Sequence, residues 1–584
     1  MTSTRLRLPG LLLAASLVIV LADRLGAAET GTGTGQTLDD FALLDQSGHQ
    51  QQLSRQTDVP VLVLYSYAPG CPIARQDIST LDALATAHAR DVRLWLIDAT
   101  PAEDPALVRS ELQELGSPLT VVLDRAQLVI HPLAITRTGE ALVIDTATWT
   151  VRWRGPVDDR LGYGSQKPVA SRHFLADAIT AVLAHQPPIA DTPRAKGCAI
   201  TLSEEQRSSD YATDIAPILE SRCVQCHCPA GVAPFALTSN AAVLRHAAMI
   251  REVVRTRRMP PWQADAPPGI FLDQGNLSDA QSRTLVRWIE SAPTPSTGAD
   301  PLAQVRPQSE AWPLGKPDLV VECPPQSIPA TGVLPYQRFE VGLDLPQDCW
   351  VRGYDLRPSQ PKVMHHAFAF IVKPGEQVLP GAPRFTGLDD FFANYVPGNP
   401  PAFLPAGTAK FLPKGSHLAF QIHYTTDGLA TTDHPRLALY FLPGPPAHEL
   451  KIASARSMNF LIPPGQADVP VMAFRRVPVP ITVYALSPHM HTRGSWMTYT
   501  VIYPDGHSEV LLSVPHYDFN WQFLYRLATP RQIPAGSRIE VHGGFDNSSF
   551  NELNPDPSAT VRWGQQSWDE MFIGYVMYTR DSRN

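Results

Sequence analysis

The sequence predicts a multidomain chain: an α/β domain, then a small all-α domain, then two antiparallel β-sandwiches of jelly-roll-like type. Strand and helix patterns alternate in the first third, helical periodicity dominates the next stretch, and short alternating segments separated by Pro and Gly fill the remainder. At 584 residues the chain is too long for one hydrophobic core. Its 57 prolines, about twice the usual share, suit many short strands and turns.

The first 28 residues have the pattern of an export signal. Arg5 and Arg7 precede an apolar run from Leu11 to Ala22, and small residues suitable for cleavage follow at 26–28. The run is short for a bilayer span, so we expect a periplasmic or secreted protein with no membrane span after signal removal, rather than an anchored one. A net charge of −8 over this length provides no basic face, which argues against a nucleic-acid partner.

The predicted α/β domain covers residues 36–200. The run VPVLVLYSY reads as a buried strand, and a loop carrying Cys71 leads from it into an amphipathic helix. A cysteine at a helix N-terminus has its thiolate favoured by the helix dipole. This arrangement resembles the redoxin (thioredoxin-like, peroxiredoxin-related) family.

The loop departs from the Cys-x-x-Cys pattern of that family, because it reads Cys71-Pro-Ile-Ala74. The other cysteine of this domain is Cys198, near its far end. We predict that Cys71 and Cys198 form a disulfide, either redox-active or structural. An inactive redoxin fold retained for docking is the alternative.

The predicted all-α domain covers residues 205–295 and contains Cys223-Val-Gln-Cys226-His227. Two thiols at this spacing can add across the vinyl groups of haem, and the histidine that follows can reach the iron. A zinc site or a disulfide is the alternative, although no second Cys/His pair lies at finger spacing. The motif predicts covalent haem attachment.

The sixth ligand of that haem is expected from a methionine or histidine further along the chain. Met259 follows an amphipathic helical stretch and is the best candidate, while Met249 and His246 remain open. The layout resembles a small c-type cytochrome, which implies electron transfer. Cys228, directly after the haem histidine, has no assigned role.

The two sandwiches are predicted at 310–465 and 475–584, with a boundary in the proline-rich stretch between about 460 and 480. Cys323 and Cys349 fall in the first sandwich and could pair.

Histidines concentrate in this region. His489 and His491 are two apart on a predicted strand, so both side chains point to one face. Adjacent strand residues face opposite ways, so His365 and His366 need a twist or bulge to share an ion. Thioether sulfur favours Cu(I) and imidazole tolerates both copper states, so these histidines with His423 and Met571 indicate redox-active copper. Alternatively each of these histidines is an ordinary strand residue with its hydrogen bonds satisfied. The other histidines of the region are interpreted as surface or loop residues: His417, His434, His507, His516 and His542.

The paired histidines, the later His-Tyr, the His-x-His and the terminal Asp-Glu-Met resemble the copper type II, ascorbate-dependent monooxygenases in order and spacing. The resemblance implies hydroxylation of a substrate C–H bond by O2, with one electron from each of two coppers that face each other across an open cleft. It implies an electron-storing copper on one set of ligands, His365, His366 and His423. It implies an oxygen-activating copper and its catalytic surroundings on a second set, His489, His491 and Met571, with Tyr575.

Some positions depart from the peptide-amidating members of that family. Ser487 and Ile573 stand where those enzymes use an arginine and an asparagine to hold a substrate carboxylate, so a glycine-extended peptide is not expected. A haem motif and a copper-ligand set in one chain predict that haem relays electrons from a periplasmic donor, replacing or supplementing ascorbate. The alternatives are a non-catalytic copper and electron-transfer protein, and a thiol peroxidase led by Cys71.

Overall fold

The computed structural model describes residues 34–101, 103–190, 192–203, 209–305, 311–376 and 391–581, so the predicted signal segment lies outside the described residues. The chain divides into two compact units, Met1–Asp40 with Ser54–Ser203 and Phe41–Leu53 with Glu204–Asn584. Among the helices of the described ranges, none combines the length and hydropathy that a bilayer span requires.

The described chain begins with a short antiparallel hairpin that is counted with the second unit, β1 (Ala42–Asp45) and β2 (Gln50–Gln52). The first unit then alternates strands and helices: β3 (Val61–Tyr67), α1 (Pro72–Ala87), β4 (Val92–Asp98), α2 (Pro105–Leu115), β5 (Thr120–Leu123), β6 (Ala141–Asp145), β7 (Thr150–Gly155), β8 (Leu161–Gly162), β9 (Ser165–Gln166) and α3 (Phe174–Leu183).

The sheet of the first unit has the strand order β5-β4-β3-β6-β7. Strands β3, β4 and β5 are parallel, while β6 runs antiparallel to β3 and β7. Every residue of β3 is buried, as expected for a central parallel strand covered on both faces. Helix α2 begins at Pro105 behind the capping carboxylate of Asp104 and ends at Gly116, which adopts a left-handed φ of 66°. This topology confirms the predicted α/β architecture of the first domain.

Residues 209–305 contain helices and no paired strand among those described. A π-helical turn at Tyr211–Ile215 leads into α4 (Ala216–Arg222), followed by α5 (Asn240–Arg245), α6 (Ala247–Arg255), α7 (Asp279–Glu290) and a 3-10 turn at Pro301–Gln304. A capping box between Ser278 and Gln281 starts α7. The single helix predicted from the AAVLRHAAMIREVVRTRR pattern is divided at His246, where the backbone leaves helical geometry. That this helical region is a cytochrome fold stays a prediction.

The first sandwich contains twelve strands among the residues described: β10 (Leu319–Glu322), β11 (Gln326–Ile328), β12 (Gln337–Gly342), β13 (Cys349–Arg357), β14 (Met364–Val372), β15 (Ala393–Tyr395), β16 (Ala402–Phe403), β17 (Thr408–Leu412), β18 (His417–Tyr424), β19 (Thr431–Asp433), β20 (Arg436–Leu442) and β21 (His448–Glu449). One sheet runs β10-β20-β13-β17-β21, with β16 also on β13, and the other runs β12-β18-β14-β15. A separate pair joins β11 to β19.

The second sandwich contains β22 (Lys451–Ser457), β23 (Val469–Arg476), β24 (Ile481–His489), β25 (Gly494–Ile502), β26 (Ser508–Val514), β27 (Tyr525–Ile533), β28 (Arg538–Phe545) and β29 (Phe572–Arg580). Its antiparallel sheets run β22-β29-β24-β27 and β23-β28-β25-β26. Strand β22 pairs with β29 along its whole length, so this sandwich begins near residue 451 and not at the predicted 475. The proline-rich stretch that suggested the boundary lies inside the sandwich, between β22 and β24.

The pairing that the sequence allowed between Cys323 and Cys349 is not formed, and both thiols are free. Glu322, the residue before Cys323, pairs with Arg436 at one end of β20. Trp350, the residue after Cys349, pairs with Leu442 at the other end. The strand between those ends spans roughly 20 Å at about 3.3 Å per residue. A disulfide needs Cα atoms about 4.4–6.8 Å apart.

Candidate metal centres

The first ligand set lies on neighbouring strands of the first sandwich. His366 on β14 pairs directly with His423 on β18, and the register shifts between Met364 and His366. This irregularity is the bulge that adjacent histidines require, because it turns His365 to the same side as its neighbour. The Nδ1 atoms of His365 and His366 are 2.9 Å apart. One ligand atom from each of the three histidines lies within 4.8 Å of the others.

These imidazoles are neutral and available as ligands. Burial lowers the pKa of His365 to about 4 and that of His423 to about 3. Burial and the neighbouring histidines also hold the pKa of His366 well below its usual value. The Nδ1 atom of His423 is buried without a hydrogen-bond partner in the described structure. An unpartnered lone pair inside a protein is costly, and a metal ion bound by the three nitrogens would satisfy it. The set therefore fits a metal ion.

The second ligand set lies at one end of the second sandwich. His489 ends β24, and the ring centroids of His489 and His491 are 5.4 Å apart. His489 pairs with Ile573 on β29. Met571 comes two residues before Ile573, which places it on the same face of the sheet as His489. The predicted two-imidazole, one-thioether set is thus brought to one region, and all three side chains are buried.

Hydrogen bonds orient both imidazoles of the second set. The Nδ1 of His489 lies 2.7 Å from the Gln522 amide oxygen, and the Nδ1 of His491 lies 3.2 Å from the Asp569 carbonyl oxygen. In the neutral tautomer that each contact favours, the ring donates through Nδ1 and Nε2 is the acceptor nitrogen. Burial lowers the pKa of His489 to about 4 and that of His491 to about 3, so both rings are neutral.

A buried carboxylate that the sequence analysis did not identify holds the backbone around this set. Glu570 accepts hydrogen bonds from the backbone N–H groups of His491 at 2.8 Å, Arg493 at 2.6 Å and Met571 at 3.3 Å. Burial raises the pKa of Glu570 to about 8. The Arg493 side chain is also buried, and its guanidinium donates to the Asn547 side chain. Glu570 thereby fixes the His-x-His turn to the strand that carries the methionine.

Tyr575, predicted to act beside the second set, is buried on β29. Its ring centroid is 6.3 Å from that of His489 and 5.5 Å from that of Phe391 of the first sandwich. Met571 and Tyr575 belong to an apolar cluster with Phe370 and Phe391, so side chains of both sandwiches meet here.

The resemblance to the monooxygenases predicted an open cleft between the ligand sets, and the structure differs. The Phe519 ring centroid lies 4.9 Å from that of His365 and 5.9 Å from that of His491. The Gln522 amide nitrogen lies 3.5 Å from Nδ1 of His366. The loop that carries Phe519 and Gln522 therefore lies between the two sets, an arrangement that no sequence pattern indicated.

A cavity of about 1350 Å³ is lined by the predicted haem residues Cys223, Cys226, His227 and Met259, and by Trp521 and Phe523 of the loop that separates the ligand sets. Its volume exceeds the roughly 300–1,000 Å³ of an ordinary small-molecule site. The Nδ1 of His227 lies 2.9 Å from the Phe235 carbonyl oxygen, which leaves Nε2 free as a ligand. Burial raises the pKa of the Cys223 thiol to about 12 and keeps that thiol protonated. These residues fit a covalently attached haem.

The alternative sixth ligands are placed differently. Met249 also lines the cavity, whereas His246 stacks on Phe235 with ring centroids 4.0 Å apart and is not among the lining residues. Cys228 is buried and does not line the cavity either.

In the first unit, the two predicted redox thiols come together, but the predicted disulfide between them is not formed and both are free thiols. The Sγ atoms of Cys71 and Cys198 are 2.6 Å apart, and Cys71 Sγ lies 3.0 Å from the Thr138 hydroxyl. Cys71 is the N-cap residue of α1. Burial opposes its ionisation, but hydrogen bonds from the Ala74 backbone N–H, the Cys198 thiol and the Thr138 hydroxyl outweigh it and lower the pKa of Cys71. Burial and the neighbouring Cys71 raise the pKa of Cys198.

One part of the chain matches a known protein family. Residues 450–584 match the family model of the copper type II ascorbate-dependent monooxygenase C-terminal domain. The matched range coincides with the second sandwich and contains His489, His491 and Met571. The match supports copper as the metal and monooxygenation as the class of reaction. Among curated proteins, none matches the chain.

Several solved structures resemble part of the chain at low overall similarity. An uncharacterised protein from Geobacillus kaustophilus has 22% identity and a TM-score of 0.28, with 30% of this chain and 95% of that chain covered. A hypothetical protein from Sinorhizobium meliloti has 20% identity, a TM-score of 0.28 and coverages of 30% and 98%. The peroxidoxin BcpB of Mycobacterium tuberculosis has 19% identity, a TM-score of 0.21 and coverages of 26% and 97%. The α/β assignment of the first unit rests on its strand order.

Proposed function

We propose that the chain is an exported, copper-dependent monooxygenase that hydroxylates a C–H bond of a small organic substrate. The reaction consumes O2, two electrons and two protons for each R–H converted to R–OH and water. The observation that carries the proposal is the pair of buried, neutral ligand sets, the second within the range that matches the monooxygenase C-terminal domain. Copper, when bound, supplies one-electron redox chemistry and the activation of O2.

The two sets differ in ways that suit different roles. His365, His366 and His423 offer only imidazole nitrogen, which tolerates both copper oxidation states and suits electron storage. The second set adds the thioether of Met571, which favours Cu(I), the state that reacts with O2. Tyr575 and the surrounding apolar cluster exclude water from the second set and face a bound substrate.

The cavity lined by the Cys-x-x-Cys-His motif and Met259 supports an internal electron supply through haem. The thiols of Cys223 and Cys226 would each add S–H across a vinyl C=C bond, with no leaving group. His227 would then provide a nitrogen ligand to the iron and Met259 a sulfur ligand. Histidine–methionine ligation raises the reduction potential and suits electron transfer. A periplasmic donor would deliver the electrons, with ascorbate as the alternative reductant.

Metal and haem analysis of the full-length exported protein tests the proposal. We expect two copper ions and one covalent haem per chain, with anomalous diffraction at the copper edge placing one ion on each ligand set. Substrate-dependent O2 consumption is expected only in the copper-loaded protein. One copper per chain, or none held by Met571, would leave a non-catalytic copper and electron-transfer protein as the better description.

A second candidate function, thiol–disulfide chemistry in the first unit, is favoured by the contact between Cys71 and Cys198. Exchange with a disulfide substrate would oxidise this dithiol to a disulfide and release the substrate as two thiols, so electrons and protons balance. The lowered pKa of Cys71 makes it the attacking group, and Cys198 the group that resolves the mixed disulfide.

Removal of the Cys198 thiol tests that pair. In Cys198→Ala the Cys71 thiolate loses a hydrogen-bond donor, so we expect its alkylation by iodoacetamide at pH 7 to slow about tenfold. The pH dependence of alkylation should move upward in the same variant. Cys323→Ala serves as the matched control, because burial raises the pKa of the Cys323 thiol to about 12. Equal alkylation profiles for wild type and Cys198→Ala would argue against a coupled pair.

A further inference from the structure

We infer that the loop of residues 515–524, between β26 and β27, is the path by which electrons pass from the large cavity to both ligand sets. This inference rests on the proposed function, since it requires haem in the cavity and copper on the histidines. The loop is here called the bridging loop. It lines the cavity with some of its side chains and contacts the ligands with others.

On the cavity side, Trp521 and Phe523 line the wall together with Trp262 of the helical region. Trp262 lies three residues after Met259 in the chain. The ring centroids of Trp262 and Phe523 are 5.8 Å apart, and those of Phe523 and Trp521 are 6.3 Å apart at an interplanar angle of 10°. A series of aromatic contacts therefore leads from Trp262, on the same cavity wall as Met259, into the bridging loop.

On the ligand side, the residues next to Trp521 contact both sets. The Gln522 amide oxygen lies 2.7 Å from Nδ1 of His489, and its amide nitrogen lies 3.5 Å from Nδ1 of His366. The Asn520 side-chain oxygen lies 3.2 Å from Nε2 of His365. Trp521 is thus covalently continuous with two residues that contact the metal-ligand histidines.

The bridging loop is also fixed in place. The Tyr517 hydroxyl donates to the Met490 carbonyl oxygen at 2.8 Å and accepts from the Met490 N–H at 3.1 Å. Met490 lies between His489 and His491, so this double contact holds the loop against the His-x-His turn. Gly494 completes the fit, because a Cβ there would meet Met490 at 2.6 Å and Tyr517 at 2.7 Å. A fixed path of bonded and packed groups favours electron transfer over a path through solvent.

The inference assigns separate roles to two residues. Trp521 provides the aromatic contact with the cavity, and Gln522 is a positioning residue that holds His489 through Nδ1. Each electron that crosses oxidises the reduced haem iron from Fe(II) to Fe(III) and reduces one copper from Cu(II) to Cu(I). The external donor then restores the haem, and two such transfers complete one turnover.

Stopped-flow absorbance on the full-length, haem- and copper-loaded protein tests the path. In Trp521→Leu we expect haem reoxidation after mixing with O2 and substrate to slow roughly tenfold, the size of coupling change that an intervening residue can carry. Turnover driven by excess ascorbate should change less than about twofold, because ascorbate reduces copper directly. Phe474→Leu, an exposed aromatic residue of β23 outside the cavity wall, is the matched control.

Gln522→Leu provides an independent measurement. Loss of the hydrogen bond to His489 should weaken copper binding at the second set about tenfold and alter the Cu(II) EPR signal. Haem reoxidation at wild-type speed in both Trp521→Leu and Gln522→Leu would overturn the inference and leave the proposed function intact. A wild-type protein whose haem does not reoxidise faster when copper is present would overturn the internal electron supply, and the inference with it.

Discussion

Met571→Ile is expected to lower substrate-dependent O2 consumption at least about 1,000-fold, equivalent to about 4 kcal/mol of transition-state stabilisation. The thioether is the only soft donor of the second set, and isoleucine of similar volume has no sulfur. Copper per chain should fall from two ions to one, since the first set contains no methionine. Metal analysis and oxygen-electrode measurements on the same preparation check both effects.

Folding should survive this substitution, because volume-conserving apolar exchanges in a core usually cost less than about 1.5 kcal/mol. Met497→Ile provides the control, since Met497 is fully buried in the core of the same sandwich, away from the ligands. It should keep both copper ions and full turnover. If Met571→Ile kept two tightly bound coppers, the thioether would not be a ligand and the second set would need reassignment.

Glu570→Ala should have the largest effect on stability, lowering the free energy of unfolding by about 3–5 kcal/mol. The change removes the acceptor of three backbone N–H groups and leaves the buried Arg493 without its nearby carboxyl group. The melting temperature should fall by about 10 °C. Thermal unfolding followed by circular dichroism of the full chain measures the change.

Two further variants test whether the backbone contacts of Glu570 account for the loss of stability. In Glu570→Gln, one accepting oxygen becomes an NH2 group that faces a backbone N–H, so we expect an intermediate loss of about 1–3 kcal/mol. Glu540→Ala removes a partly exposed carboxylate that pairs with Arg538 and His542, and it should cost less than about 1 kcal/mol. Equal losses in Glu540→Ala and Glu570→Ala would show that the backbone contacts of Glu570 contribute little.

Residue spacing was sufficient to predict the parts of the site that depend on local geometry. The two-residue spacing placed the rings of His489 and His491 close together, although only His489 belongs to β24 and His491 lies beyond its end. The adjacent pair on β14 required an irregularity, which the structure contains at Met364/His366. Likewise, a run of buried residues before Cys71 predicted the central strand of the first unit and the helix that follows.

Other features depend on contacts between distant segments, which have no local pattern. Glu570 reads as an ordinary acidic residue, yet it binds backbone groups 77 and 79 residues away in the chain. Gln522 lies in a loop without periodicity, and its importance follows only from the histidines of both sandwiches that meet it. Strand β22 was assigned to the wrong sandwich because its pairing with β29 joins the two ends of the domain.

The bulge on β14 makes the first ligand set depend on residue count as well as residue type. Deletion of His365, the residue between Met364 and His366, would give a more regular antiparallel ladder, so we expect the sheet to fold without it. The remaining imidazole would then face His423 without its neighbour, and a three-coordinate site would become a two-coordinate one. A single-codon deletion here could therefore separate foldability from metal retention, and chains of this architecture should conserve the length of this strand as strictly as its histidines.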